Sequence, residues 1–370
     1  MDSIDHVVIG AGAMGAATAW QLASRGRSVV LIEQFGVAHK NGSSHGGTRI
    51  FRLSYRNPLY TDLAVEALRM WRELENETGA VLLEQNGQLD HGFKSAIDDI
   101  QAALDRHQRP YELLTPDEAH ERWPGMNFDQ HVLFSPDGGR NFADRTVETL
   151  CARTADLGGV TQFNTRVESI TLDGEHAIVE TSAGTWRTPS VVVAAGAWVN
   201  KLVGHLVPLP ALTVDAGQPV HFQPRVNPSD DSQWPSFLHH GAHKRVDTDL
   251  AFSAYGLYTP GEGMKIGTWA NTEPLDPDNR DFSINPELLE RTKEYARTWF
   301  PGLDIDSAQA ITCLFTNTAD EHFILDRVGP ITVCSPCSGH GFKFVPAIGK
   351  LTADLAMGGT QSVAEWRLPN

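Results

Sequence analysis

Residues 4–33 read IDHVVIGAGAMGAATAWQLASRGRSVVLIE, and the order of residue types in this stretch decides the fold. An apolar run over 4–9 leads into Gly10, Ala11, Gly12, Ala13, Met14 and Gly15. Residues 16–25 follow at helical spacing, Gly26 stops them, and a second apolar run over 29–32 ends in Glu33. That is strand, glycine turn, helix, strand and acid, the pattern of a dinucleotide-binding βαβ unit. Gly10 permits the tight turn, Gly12 lets backbone approach a pyrophosphate, and Gly15 lets the helix pack closely on its strand, while the helix N-terminus faces the diphosphate charge. Glu33 suits both ribose hydroxyls of an adenosine and would repel a 2′-phosphate, which argues against NADP. GxGxxG alone is weak evidence for a site. With both strands, the helix and the acid about 20 residues on, the stretch predicts one.

The chain has 370 residues, more than one hydrophobic core commonly serves, so two domains or lobes are expected. Its 46 acidic and 30 basic residues leave a formal charge of −16, which opposes binding to nucleic acid or anionic membrane and points to small-molecule ligands. No apolar span is long enough to cross a bilayer, and the first strand starts almost at once, so neither anchor nor signal peptide is expected and a cytoplasmic location is. Cys151, Cys313, Cys334 and Cys337 are too few and too uneven for a secreted disulfide framework.

Beyond Glu33, residues 41–52 are dense in glycine, hydroxyls and cations, where a plain nucleotide fold needs only a short connection. A large anionic ligand against this loop is implied. Residues 59–78 predict a helix with Leu63, Ala67, Met70, Trp71 and Leu74 on one face and Gly79 as its stop. From Gly87 the texture changes to short strands and separate helices, including 95–106 and a segment opened by a capping box of Thr115, Pro116 and Glu118. A helix over 145–157 precedes 160–189, whose alternation around the turns at 173–174 and 183–184 predicts a β-meander. The apolar run at 191–198 suits a return to the parallel sheet. A meander joining two such strands is more typical of FAD proteins than of nicotinamide ones. Residues 212–307 lack a βαβ rhythm and carry one helix, 286–299. At the end of the chain a strand from 331, the turn Ser338-Gly339-His340-Gly341-Phe342 and a helix over 346–357 repeat the order strand, glycine turn, helix. A second helix N-terminus would suit the N1/C2=O edge of a reduced flavin, which gathers negative charge.

Several separated motifs stand in one order: the opening fingerprint, 42–52, Arg122-Trp123-Pro124-Gly125, Gly196-Ala197-Trp198, Lys265-Ile266-Gly267, Cys313 with 320–324, and 338–344. Together they resemble the monomeric sarcosine oxidase and N-methyltryptophan oxidase family of flavoprotein amine oxidases, through nearly the whole chain. The resemblance implies an α/β (α+β overall) architecture: a Rossmann-like FAD-binding domain with a β-meander over 1–86, 145–211 and 308–370, and an inserted mixed-sheet substrate domain over 87–144 and 212–307. It further implies FAD attached covalently through Cys313, and FAD contacts from Gly10, Gly12, Gly15, Glu33, Ser43, Ser44, Arg49, Val167, Gly339, Gly341, Phe342 and Lys343. Arg52 and Lys343 match the pair that holds the substrate carboxylate, a task suited to a planar fork acting with a point charge. Tyr255, His340 and Arg49 match residues lining the substrate cavity or the flavin faces, and Lys265 matches the lysine that activates oxygen. Positive charge is needed there because the first electron makes O2 an anion. No metal is implied, and the protein is expected to act as a monomer.

The chain also departs from the family pattern. Trp269 stands where a second histidine is common, Phe315 where sarcosine oxidase has tyrosine, and Gly47 in place of an aspartate. The expected activity is oxidation of a secondary or N-methylated amino acid, with hydride passing to flavin N5, hydrolysis of the imine, and O2 reduced to H2O2. The changed positions favour a substrate bulkier or more apolar than sarcosine. Two alternatives stay open: an oxidase or dehydrogenase of a cyclic amino acid such as proline or pipecolate, and a non-catalytic flavin-binding protein. Cys334 and Cys337 form a CxxC with no second cluster to complete four metal ligands.

Overall fold

The computed structural model describes residues 2–228, 230–241, 254–268, 273–361 and 363–369. The opening stretch forms the strand His6–Ile9, the helix Ala13–Ser24 and the strand Val29–Ile32. These join a six-stranded sheet in the order Val160–Gln162, Val29–Ile32, His6–Ile9, Val191–Val193, Ile331–Ser335 and Ile324–Val328. Its strands are parallel except at the last pairing. The central strands are buried on both faces, as sheets built from crossover connections require. On one face Ala13–Ser24 packs against the helices Ala143–Asp156 and Val345–Ala356. Small residues set that spacing: a Cβ on Gly349 would stand 2.6 Å from the Ala17 Cβ.

The opposite face is covered by an antiparallel meander of Val167–Asp173, His176–Thr181 and Gly184–Thr188, whose Val167, Ile170, Ala177 and Val179 share a core with Val7, Val30, Val191 and Val193. The meander is shorter than the sequence suggested. Val160–Gln162 pairs parallel to Val29–Ile32, because the preceding helix Ala143–Asp156 makes it the end of a crossover. Alternation alone is the same for either pairing.

A second, eight-stranded sheet runs Leu303–Ala310, Val220–Pro224, Gly263–Thr268, Ala254–Thr259, Ser236–His240, Gln88–Gly92, Val132–Ser135 and Glu112–Leu114. It is mixed, since Gln88–Gly92 and Ser236–His240 pair in parallel. Two small sheets lie between the large ones in the chain: Thr213–Gly217 with Cys313–Asn317, and Thr48–Phe51 with Gly139–Phe142 and Leu83–Glu84. The helix Pro58–Thr78 starts where the Asn57 side chain accepts from Leu59 N at 3.0 Å and ends at Gly79 with φ of 71°. Thr115 and Glu118 make the expected reciprocal capping box, and Pro286–Trp299 is the expected helix in the 212–307 segment. Among the described residues no helix is long and apolar enough to cross a membrane.

Candidate active site

Gly10, with φ of 97°, turns the chain where a Cβ would meet Ala194 O at 2.6 Å, and a Cβ on Gly15 would stand 1.8 Å from Gly10 O. The helix Ala13–Ser24 therefore begins tightly against its own strand. Its first turn carries no acidic residue and its N-cap residue, Gly12, has no side chain to cap it, which leaves the positive end of the dipole toward the cavity. Glu33 is buried at the tip of the next strand. Its Oε2 accepts from Ala11 N at 2.9 Å, its Oε1 accepts from Phe35 N at 3.0 Å, and His39 Nε2 lies 3.3 Å away. A carboxylate keeps further acceptor sites beyond these two bonds.

A cavity of about 230 Å³ extends from Glu33 past Gly10, Gly12 and Met14 to Ser43, Ser44, Arg49, Val167, Phe315, Gly339, His340, Gly341 and Phe342. A second, of about 120 Å³, adjoins it through Ser43, Arg49, Leu314, Phe315, Gly339, His340 and Phe342, and adds Arg52, Tyr255, Lys265, Cys313 and Lys343. The structure thus brings the sequence-predicted residues around two joined spaces. Gly15 acts from behind the first, and Trp269 lies outside the described residues.

The loop between the two spaces is organised by Arg49, which donates to Ser43 O at 2.8 Å, His45 O at 2.6 Å and Thr48 O at 2.8 Å. Ser44 Oγ accepts from Ala13 N at 3.0 Å, tying the loop to the nucleotide helix, and Ser43 Oγ donates to Leu314 O at 2.6 Å. Lys265, buried on Gly263–Thr268, donates to the same Thr48 carbonyl at 2.7 Å. Burial, and then the nearby Arg49 charge, bring its pKa down to about 7. Gly47 is needed by this packing, because a Cβ there would lie 2.5 Å from Thr259 Cγ2 and 2.6 Å from Glu262 Oε1. The Glu262 carboxylate thus fills the space over Gly47. Burial also raises the Tyr255 hydroxyl pKa.

At the other end of the smaller cavity Arg52 and Lys343 are both buried. Arg52 donates to Ser54 O and lies over the Tyr55 ring at 3.7 Å; Lys343 donates to His340 O at 2.7 Å and lies 5.5 Å from the same ring. Burial and then the Arg52 charge press the Lys343 pKa well below its ordinary value. Trp71, on the long helix, donates to Lys343 O at 2.7 Å and fixes its backbone. His340 has both ring nitrogens engaged: Nε2 at 3.1 Å from Glu321 O and Nδ1 at 3.3 Å from the Tyr55 hydroxyl. A carbonyl only accepts, so Nε2 carries the hydrogen and Nδ1 accepts from Tyr55. Burial and the Lys343 charge hold this ring neutral. Its geometry is that of a fixed wall, not of a proton acceptor. Tyr55 and the Thr48 carbonyl were invisible to sequence reasoning as site groups, since neither has a spacing signature.

Cys313 opens the strand Cys313–Asn317 and lines the smaller cavity beside Phe315, whose ring packs over Gly217. Arg280 clasps this region, donating to Lys40 O at 3.1 Å, Asn41 O at 3.3 Å and Thr312 O at 2.5 Å. Cys334 and Cys337 are free thiols on the wall of the larger cavity. Burial raises both pKa values, that of Cys334 to about 12, the opposite of a reactive dithiol. Among the described residues no His, Cys, Asp and Glu group could hold a metal.

A turn that a Cβ would fill, a helix N-terminus with no acidic residue in its first turn, a buried carboxylate at the adenosine end and an adjoining cation-lined chamber fit FAD in extended form. These features define a flavin-dependent oxidoreductase. Residues 5–355 match the family model described as DAO, FAD dependent oxidoreductase, and the chain belongs to that family. It is similar to the monomeric sarcosine oxidase of Bacillus sp., with 30% identity over 96% of this chain and 92% of that protein. It is also similar to human peroxisomal sarcosine oxidase, with 31% identity over 96% and 93%. Among solved structures, the open form of NikD, described as an unusual amino acid oxidase essential for nikkomycin biosynthesis, superposes with a TM-score of 0.86 at 26% identity, covering 98% of this chain and 96% of that one.

Proposed function

We propose that this enzyme oxidises a secondary or N-methylated amino acid whose side chain or N-substituent is apolar. One observation carries the reading: Arg52 and Lys343 are two buried cations on the wall of a largely apolar chamber, and among the described residues each donates to a backbone carbonyl, of Ser54 and of His340, and to no carboxylate. Buried charge without a counter-ion is costly, so the chamber suits an anionic ligand group. Its apolar walls include Ile50, Leu238, Leu257, Ile311 and Phe315, whose side chains offer packing and no hydrogen-bond partners; Arg49, Lys265 and His340 line it as well. The similarity to sarcosine oxidases supports an N-alkyl amino acid as the class.

FAD, when bound, supplies a two-electron acceptor at N5 that takes a hydride from the carbon next to the amine nitrogen and passes the electrons to O2, giving H2O2. The Arg52 fork and the Lys343 ammonium would hold the carboxylate and so fix where that carbon lies. The apolar wall excludes water from the reacting end. Lys265 would present positive charge where oxygen becomes an anion. Cys313, beside the junction of the two cavities, is the proposed point of covalent attachment. In this reading, residues 1–86, 145–211 and 308–370 hold the cofactor and 87–144 with 212–307 shape the substrate chamber, in a monomer acting in the cytoplasm.

An anaerobic panel of N-methyl and cyclic amino acids, read as loss of flavin absorbance, tests the reading. N-methyl derivatives of larger apolar amino acids should reduce the enzyme with higher kcat/KM than sarcosine. Sarcosine as the best substrate would overturn the size preference, and no reduction by any amino acid would overturn the activity.

A further inference from the structure

We propose that Tyr55 is a positioning residue for the substrate carboxylate: its ring is the shared platform that holds the Arg52 guanidinium and the Lys343 ammonium at one wall of the chamber. This rests on the reading of those two cations as carboxylate ligands. The Tyr55 side chain is fully buried. Its backbone is fixed by the bond from Tyr55 N to Leu53 O at 2.9 Å and by Thr61 Oγ1 donating to Tyr55 O at 3.2 Å. The ring packs against Tyr60 and Phe344, with centroids 5.5 and 5.7 Å away.

Two like charges in one dry wall repel each other, and something must hold them before the substrate arrives. The face of an aromatic ring is negative and attracts cations within about 6 Å of its centre; Arg52 at 3.7 Å and Lys343 at 5.5 Å both meet that condition on the same ring. The carbonyls that hold the two cations also belong to the neighbours of Tyr55. Ser54, which accepts from Arg52, directly precedes it in the chain, and His340, which accepts from Lys343, receives the Tyr55 hydroxyl at its ring. Two short circuits therefore close on one residue, Arg52 to Ser54 to the Tyr55 backbone and Lys343 to His340 to the Tyr55 hydroxyl. Such a scaffold sets the separation of the two cations in advance, which is the geometric requirement for gripping one carboxylate.

The test measures binding to the oxidised holoenzyme by perturbation of the flavin spectrum, using methoxyacetate, a non-oxidisable carboxylate shaped like sarcosine, and its uncharged counterpart methoxyacetamide. Tyr55→Leu should weaken methoxyacetate about 10- to 100-fold while leaving the amide within about 3-fold, and should raise KM more than it lowers kcat. Tyr55→Phe, which keeps the ring, should restore most of the carboxylate affinity. Should Tyr55→Leu fail to fold, pentafluorophenylalanine at position 55 keeps the shape and reverses the charge of the ring face; it should bind methoxyacetate more weakly than Tyr55→Phe does. Equal carboxylate affinity in the Leu variant and wild type, or in the fluorinated and plain rings, would overturn the role of Tyr55. Wild type binding the acid no better than the amide would overturn the carboxylate reading itself.

Discussion

Lys265 shares the Thr48 carbonyl with Arg49, so a buried ammonium stands beside a guanidinium and its pKa lies at about 7. If its charge accelerates oxygen reduction, Lys265→Met should slow flavin reoxidation on the order of 100- to 1,000-fold and leave anaerobic reduction by amine comparatively intact. The pH dependence follows from the sign of the shift. Lys265 is charged below about pH 7 and neutral above, so wild-type reoxidation should be fastest at low pH and fall as pH rises through that pKa; negative charge on a reduced flavin beside it would move this window upward. Lys265→Met should lose this dependence. Stopped-flow measurement of both half-reactions decides; equal slowing of reduction and reoxidation would make Lys265 a structural residue. At this scale the sequence was legible where a residue sits in a motif, as Arg49, Arg52, Cys313 and Lys343 do. Tyr55 was not, because its role arises from two cations 3 and 288 positions away in the chain meeting over one ring.

Two glycines of the opening turn, Gly10 and Gly15, were readable for a physical reason: each makes a backbone approach that any side chain would block, whereas a Cβ on Gly12 would meet only the Ser44 side chain, its Oγ at 3.2 Å. Gly15 is the sharpest case, its missing Cβ falling 1.8 Å from Gly10 O. Gly15→Ala should force helix and strand apart, costing roughly 1–3 kcal/mol or more and lowering flavin content at purification. Gly36→Ala, with nothing within 4 Å of its added Cβ, is the matched control and should keep wild-type melting temperature and flavin content. Equal behaviour of the two variants would mean that the turn tolerates displacement. Helices with caps were legible to within a residue or two, since Asn57, Gly79, Thr115 and Asn285 punctuate them locally. Strand partners were not: Val160–Gln162 reads as well for a meander as for a parallel edge, and only the helix before it decides.

Across the whole molecule, the order of the eight-stranded sheet escaped sequence reasoning because Gln88–Gly92 and Ser236–His240 become neighbours across about 150 positions, with no local signal for the pairing. The proposed covalent bond to Cys313 has a consequence at this scale. A cofactor that cannot leave stabilises the fold independently of its free concentration, whereas a dissociable one stabilises by mass action. Wild-type melting temperature should therefore ignore added FAD, and acid precipitation should leave the flavin with the polypeptide. Cys313→Ser should release the flavin into the supernatant and melt at a temperature that rises with added FAD. Flavin freed from acid-precipitated wild type would refute the attachment. The Arg280 clasp adds a matter of timing. One guanidinium reaches the loop at Lys40 and Asn41 and the residue before Cys313, so the sulfur gains its final address only when three distant parts of the chain have met. Covalent attachment would then be a late event in the maturation of each molecule, and the bound flavin a lasting mark of chains that had completed their assembly.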